Sequence, residues 1–124
     1  MQIKNIIKEK NLKVTSARKE LLEVLTSKKN PISFDDIKDD ISMDKATFYR
    51  NISTFESESI VSSFESNDKK RYYEMQKFPH AHFICNSCNT IECLKGIFDV
   101  KIENYIIQDM IIKGICEKCN LVEI

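Results

Sequence analysis

The chain has 124 residues, 42% of them hydrophobic and 31% charged, enough for one compact domain or two small lobes. Two glycines and two prolines exclude collagen-like, low-complexity and linker-dominated readings, and no run approaches the roughly 18 apolar residues of a membrane span. Lysine plus arginine balance aspartate plus glutamate at 19 each, so global charge gives no argument for a nucleic-acid partner. The balance hides a pattern: residues 1–31 carry eight basic against three acidic side chains, and residues 32–58 carry three against seven. A basic N-terminal segment permits local phosphate contact without demanding it. That N-terminus alternates charged with apolar residues and has no apolar signal core, so the expected location is cytoplasmic.

The first 58 residues read as helices. Ala17, Leu21, Val24 and Leu25 form one apolar stripe, with Thr15 and Ser16 as start signals. Pro31 separates this helix from the next. Ser33-x-x-Asp36 has the form of a capping box, with Phe34, Ile37 and Ile41 facing inward. Asp44 is an N-cap for a third helix, on which Phe48, Ile52 and Phe55 recur at helical spacing. The same period turns Ala46 and Arg50 outward, with Lys45 and Tyr49 at the edge of the face. The period then shortens to two. Residues 60–64 and 71–75 are β-like runs around an Asn67-Asp68 turn followed by Lys69-Lys70-Arg71. Helix, helix, helix, hairpin is the order of a winged helix-turn-helix. Residues 76–79 read as a hinge into a second lobe, with strands near 81–85, 90–94 and 109–115 and a short helix near 97–105.

All five cysteines lie in the last 40 residues, four of them as two C-x-x-C pairs with 27 residues between the pairs. The odd count and the lack of an export signal argue against a disulfide framework. Tetrahedral zinc takes four ligands, and each C-x-x-C turn offers two sulfurs to one ion. Cys85, Cys88, Cys116 and Cys119 therefore predict one closed, structural zinc site; four paired but metal-free thiols are the bland reading. The chain's two histidines, His80 and His82, share one face of an extended chain, and Cys85 points to the other. They are candidates for half of a second site, with Glu74 as an oxygen ligand across the hinge. Glu92 and Cys93 alternate on the next strand, so at most one of them easily completes it. The thiolate would favour zinc, and the carboxylate would keep the site harder.

A DNA-reading helix needs a polar face with a hydrogen-bonding cation, an apolar group for thymine methyls and further cations for phosphate. Lys45, Tyr49 and Arg50, with Lys69, Lys70 and Arg71 of the wing, fit that need. An ordinary solvated helix face is the alternative.

The segments LKVTSAR (12–18), KATFYRNISTF (45–55), HAHFICNSC (80–88) and GICEKC (114–119) together resemble the ferric uptake regulator superfamily of bacterial metal- and peroxide-responsive repressors. The resemblance covers nearly the whole chain in order. It implies an α+β architecture: a winged helix-turn-helix DNA-binding domain over 1–77 and a small α/β, zinc-containing dimerisation and metal-sensing domain over 78–124. It implies a homodimer on palindromic operator DNA, with no membrane and no small-molecule substrate. By position, Tyr49 and Arg50 match the family's recognition-helix residues, and Lys13 matches a basic residue that reaches DNA beside that helix. Cys85, Cys88, Cys116 and Cys119 match the structural zinc ligands. Glu74, His80 and His82 match three members of a regulatory site taking a second divalent metal (zinc, iron or manganese). The chain departs from the family pattern at Asn30, Cys93 and Gln108, where ligating His, Asp or Glu, and His are usual. The stretch between the cysteine pairs is also short, so the dimerisation helix is expected to be trimmed.

The sequence thus predicts a zinc-stabilised, dimeric transcriptional regulator, a repressor and not an enzyme, with an altered second metal site. Its rivals are a regulator with a vestigial sensing site that binds DNA constitutively, a zinc-ribbon protein-interaction module, and a redox or metal-handling protein using Cys93.

Overall fold

The computed structural model describes residues 3–76, 81–94, 100–107 and 109–121. They form two compact units: Met1–Phe64 with Arg71–Gln76, and Glu65–Lys70 with Lys77–Ile124.

In the first unit, α1 (Ile3–Glu9) leads through a turn to α2 (Ser16–Ser27). Thr15 caps α2, its side-chain oxygen accepting from the Arg18 amide at 3.2 Å. Only one turn of α3 (Phe34–Ile37) forms. Its capping box is complete: Ser33 N donates to Asp36 Oδ2 at 2.9 Å and Asp36 N to Ser33 Oγ at 3.3 Å. Asp44 caps α4 (Lys45–Ser57) by accepting from the Thr47 amide at 2.9 Å. The hairpin of β1 (Val61–Glu65) and β2 (Arg71–Met75) follows. Ile32 pairs with Tyr73 of β2 through two backbone bonds of 2.9 and 2.7 Å, tying the lead-in of α3 to the wing.

The core joins Ile7, Leu21, Leu22, Leu25, Ile37, Phe48, Ile52, Phe55, Val61 and Tyr73. It differs from the predicted stripe at two places. Leu22 is fully buried and Val24 only partly so, because α2 packs against both α1 and α4 and needs a wider apolar face. Ile41 is buried as expected, but past the end of α3.

The second unit is a three-stranded sheet in the order β4-β3-β5: β3 is Ala81–Cys85, β4 is Ile91–Leu94 and β5 is Met110–Gly114. β3 pairs antiparallel with β4 and parallel with β5. A final helix, α5 (Glu117–Leu121), was not predicted; the second C-x-x-C turns directly into it. The helix predicted near 97–105 is absent from the described part of that range. Residues 102–105 instead make a turn, with Tyr105 N donating to Ile102 O at 3.0 Å and Asn104 at φ 68°. Asparagine tolerates the left-handed conformation, which ends any helix there. Residues 97–99 and the predicted hinge at 77–79 lie outside the described residues. No described helix is long and apolar enough to cross a membrane.

Glu20 of α2 clamps the loop that leads into α4. It accepts from Ser42 N at 2.9 Å and from Ser42 Oγ at 2.7 Å. The Ser42 hydroxyl, then its amide, hold the Glu20 carboxyl below its ordinary 4.5. A depressed folded pKa contributes stability that is complete above the unfolded value and is lost as pH falls through the folded one. The melting-temperature difference between wild type and Glu20→Gln should therefore be largest near neutrality. It should shrink as the pH is taken below 4.5; a constant difference across that range would contradict the clamp.

Candidate nucleic-acid interface and metal centres

The outward face of α4 is built by its period. Phe48, Ile52 and Phe55 are buried, while Lys45, Ala46, Tyr49 and Arg50 are exposed. Tyr49 is 40% exposed, large for an aromatic side chain, and it is braced rather than loose. Its ring meets Phe48 edge-on at 5.0 Å and Phe34 at 5.8 Å. Lys45 Nζ lies 5.7 Å from the Phe34 ring and 6.0 Å from the Tyr49 ring, a cation over two aromatic rings. Phe34 thus braces that outward face from another helix, a contact its place in the sequence did not show. The Asp44 carboxyl is held below its ordinary value first by the Thr47 hydroxyl, then by the Thr47 amide.

Lys13 is exposed in the segment leading into α2. Lys69 and Lys70 are exposed in the hairpin turn, where Lys69 N donates to Ser66 O and Lys69 adopts φ 65°. The predicted Asn67-Asp68 turn therefore has its left-handed residue at Lys69. Arg71 is exposed but committed: its Nη2 donates to Ser63 Oγ at 2.8 Å, and Ser63 donates to Glu56 at 2.7 Å. It staples the wing to itself and to the end of α4.

The four cysteines converge. Their sulfurs all lie within 4.8 Å of one another, and Cys88 and Cys116 are 3.8 Å apart. A tetrahedron with Zn–S arms of about 2.3 Å has edges of about 3.8 Å, so the donor set fits zinc in size and chemistry. Two turns supply it. In the first, between β3 and β4, Ser87 N and Cys88 N donate to Cys85 Sγ at 3.3 and 3.4 Å. Asn89 closes that turn at φ 62°, its amide donating to Cys85 O at 2.9 Å. In the second, after β5, Cys116 N donates to the same Cys85 sulfur at 3.4 Å. Those amides, Cys116 first and then Cys88, hold the Cys85 thiol down at about 6. Cys88 is also lowered, chiefly by Thr90. At Cys119 the largest influence, a Ser87 hydrogen bond, lowers the pKa. Crowding by Cys116, burial, and then Cys88 and Cys85 outweigh it and raise the thiol to about 11. Four sulfurs this close cannot all carry charge without a cation among them.

On the opposite face of the sheet, His82 and Cys93 are direct partners across the β3–β4 ladder. The same register puts Glu92 opposite Phe83, and both line an open groove with Cys116 and Ile115. Of the two alternatives on β4, Cys93 therefore joins His82 and Glu92 does not. A His82 ring nitrogen and the Cys93 sulfur lie within 4.8 Å of each other. Glu74 is half-buried on β2 of the first unit, and Asn30 is exposed. His80 and Gln108 lie outside the described residues.

Sequence reasoning missed Arg18 and Asn51. Arg18 Nε donates to Asn51 Oδ1 at 3.1 Å, and Asn51 is buried among the apolar residues of α4. The available signal was an amide three residues after Phe48, on the inward face.

A winged-helix unit followed along the chain by a small sheet with four converging cysteine sulfurs defines the class, an α+β winged-helix protein with a zinc-type site. The ferric uptake regulator family model matches residues 9–113, and the chain belongs to that family. Its fold is similar to the ferric uptake regulator of Helicobacter pylori, with 25% identity and a TM-score of 0.75 over 97% of this chain and 90% of that one. That structure is described as having three functional metal-binding sites. The manganese-containing Pseudomonas aeruginosa regulator shares the fold at 17% identity, with a TM-score of 0.77 over 94% and 99% of the two chains. The Vibrio cholerae regulator does so at 22% and 0.71, over 93% and 100%. No curated protein sequence matches this one. The family and the cluster together make the chain a metal-responsive regulator with a four-cysteine structural zinc site.

Cys116→Ser should release the zinc, about one ion per chain in the wild type. Because metal binding and folding are linked in so small a lobe, the β3–β5 sheet should unfold with it while the helices of the first unit persist. A zinc-free Cys116→Ser protein with native amide protection over residues 81–85 would overturn the coupling.

Proposed function

We propose that the chain is a cytoplasmic, homodimeric DNA-binding repressor that reads operator DNA with α4 and senses zinc through a second site built around His82 and Cys93. One observation carries the reading of DNA: Lys45, Ala46, Tyr49 and Arg50 stand outward on the first two turns of a capped helix whose other face is core. Arg50 makes a charge-assisted contact to a base edge, and Tyr49 an apolar or stacking one. Lys13, Lys69 and Lys70 supply phosphate contacts, which position without specifying. Arg71, held by Ser63, supports the wing more than it reaches out.

The homodimer reading is supported by β5 standing at the edge of its sheet with apolar side chains around it. Tyr105 is 73% and Ile106 90% exposed, with Val100, Ile102 and Ile111 also uncovered, a patch suited to a second copy of the same surface.

The zinc reading rests on the pairing of an imidazole nitrogen with a soft cysteine sulfur, a donor pair that favours zinc over iron or manganese. His80 and Glu74 are the further donors that the sequence and the family resemblance supply. Metal acts by differential affinity: it shifts the population toward the form that presents two α4 helices at half-site spacing. The thiolate also adds an oxidisable group to that site, which gives peroxide a route to the same switch.

Arg50→Ala should weaken specific binding by about 1–3 kcal/mol and relax the preference at one base position. Lys69→Gly should behave differently. It removes a side chain from a left-handed residue, so it should stabilise the fold by about 1 kcal/mol while weakening binding to all duplexes alike and lowering the salt slope by about one. Wild-type operator affinity in Arg50→Ala together with Tyr49→Ala would show that α4 is not the reader.

Zinc should raise operator affinity in the wild type more than Mn(II) or Fe(II) does. Cys93→Ser should lose the preference for zinc, and His80→Ala/His82→Ala should lose the response to every metal, as titrations with DNA binding as readout will show. Equal affinity across all metals and all three proteins would mean constitutive binding and a vestigial site.

A further inference from the structure

Polar bonds join α2 to the reading helix where apolar packing alone would suffice. Arg18 Nε donates to Asn51 Oδ1 at 3.1 Å, and Arg18 Nη1 donates to the Lys13 carbonyl oxygen at 2.9 Å. Asn51 in turn donates from Nδ2 to Thr47 O at 3.1 Å, a bond inside α4. Asn51 is 8% exposed, on a helix face otherwise made of Phe48, Ile52 and Phe55. A carboxamide buried there is costly unless its groups are bonded, and packing by itself calls for an apolar side chain. The bonds therefore have a use besides filling space.

Their ends identify it. One arm of the guanidinium holds the segment that carries Lys13, a candidate phosphate or groove contact. The other holds the turn of α4 that carries Tyr49 and Arg50, the residues next to Asn51. A planar fork fixes both directions at once, which a lysine ammonium cannot do. We propose that Arg18 is a positioning residue for DNA recognition, a lock that keeps the Lys13 segment and α4 at one fixed spacing so that both meet a duplex in register. The proposal rests on the DNA-binding reading above and adds to it the part of the protein that aligns its two contacts. Glu20, two residues along the same helix, supports the lead-in of α4 through Ser42, so α2 fixes the reading helix at its start as well as at its middle. A lock of this kind leaves phosphate attraction unchanged. It decides whether the base-facing side chains arrive together.

The test uses the full-length, zinc-loaded chain with two variants, Asn51→Leu and Arg18→Lys. The probes are the duplex that the wild-type chain enriches from a randomised library and a scrambled duplex of the same composition. Affinity for the enriched duplex should fall about tenfold or more in both variants, the loss expected for hydrogen bonds to a charged group. Affinity for the scrambled duplex and the salt slope should stay near wild type. Without DNA, amide exchange over residues 11–15 should quicken in both. Arg18→Lys keeps the charge, so its loss of specificity must come from geometry. An Arg18→Lys protein with wild-type specificity would leave Arg18 a plain phosphate contact and overturn the lock. Unchanged exchange over residues 11–15 would overturn it too, as would faster exchange with an unchanged ratio of specific to scrambled binding. If Asn51→Leu fails to fold, Arg18→Lys decides alone. A wild-type chain that enriches no duplex would instead overturn the DNA-binding reading, an outcome distinct from a wild type that binds and variants that match it.

Discussion

Four sulfurs must meet at about 3.8 Å spacing for one zinc ion to hold them, and the whole second unit is arranged by that requirement. Its own core is slight: Ala81, Ile84 and Ile91 are the buried apolar residues of the sheet besides Cys85. So small a core leaves register to be set by something else. The cluster sets it. Cys85 ends β3 beside Gly114 at the end of β5, Asn86 N donates to Gly114 O at 2.7 Å, and Cys116 N donates to Cys85 Sγ.

Once Cys85 is fixed toward the zinc, strand alternation does the rest. Phe83 and Glu92 share the zinc face, and His82 and Cys93 share the other. A one-residue slip would exchange them, placing a carboxylate beside the histidine and leaving the thiol near the zinc. The four-cysteine cluster thus bears on which β4 side chain faces His82 from the other side of the sheet. If that face takes a second metal as proposed, Cys93 offers it a softer donor than the Asp or Glu usual in the family.

How much of this was readable from the sequence depended on how local the cause was. Thr15, Ser33 and Asp44 act within three residues, and all three caps formed where the pattern put them. The C-x-x-C spacing encodes a turn and a charge requirement together, so the cluster could be named before its geometry was known. Long-range causes were hidden. Leu22 is buried because two partners flank α2, which one helix's periodicity cannot reveal. Asn51 falls on the inward face of α4, but nothing local shows that Arg18, 33 residues earlier, is its partner. α5 follows directly on the second cysteine turn, with Asn120 N donating to Cys116 O at 2.8 Å. Over the described residues 100–105 the expected helix is absent for the converse reason: Asn104 takes a left-handed conformation in a turn where β-branched neighbours offer no amphipathic face.

The charge distribution makes a last connection between fold and recognition. A chain with no net charge cannot depend on a general field to collect a polyanion, so its attraction to DNA must be directional. The surplus of five positive charges over residues 1–31 includes Lys13 and Arg18, while residues 32–58 carry a deficit of four, with Asp35, Asp36, Asp39 and Asp40 around α3. The ion pair of Lys38 with Asp35 at 4.0 Å is exposed and does little to neutralise that cluster. If α4 reads DNA as proposed, the acidic groups around α3 disfavour phosphate while Lys13 and Lys45 favour it, so a duplex is held by local charge rather than by the chain as a whole. The placement of the Lys13 segment against α4 then decides how that local charge meets the duplex, and the Arg18 bonds to Lys13 O and to Asn51 hold that placement.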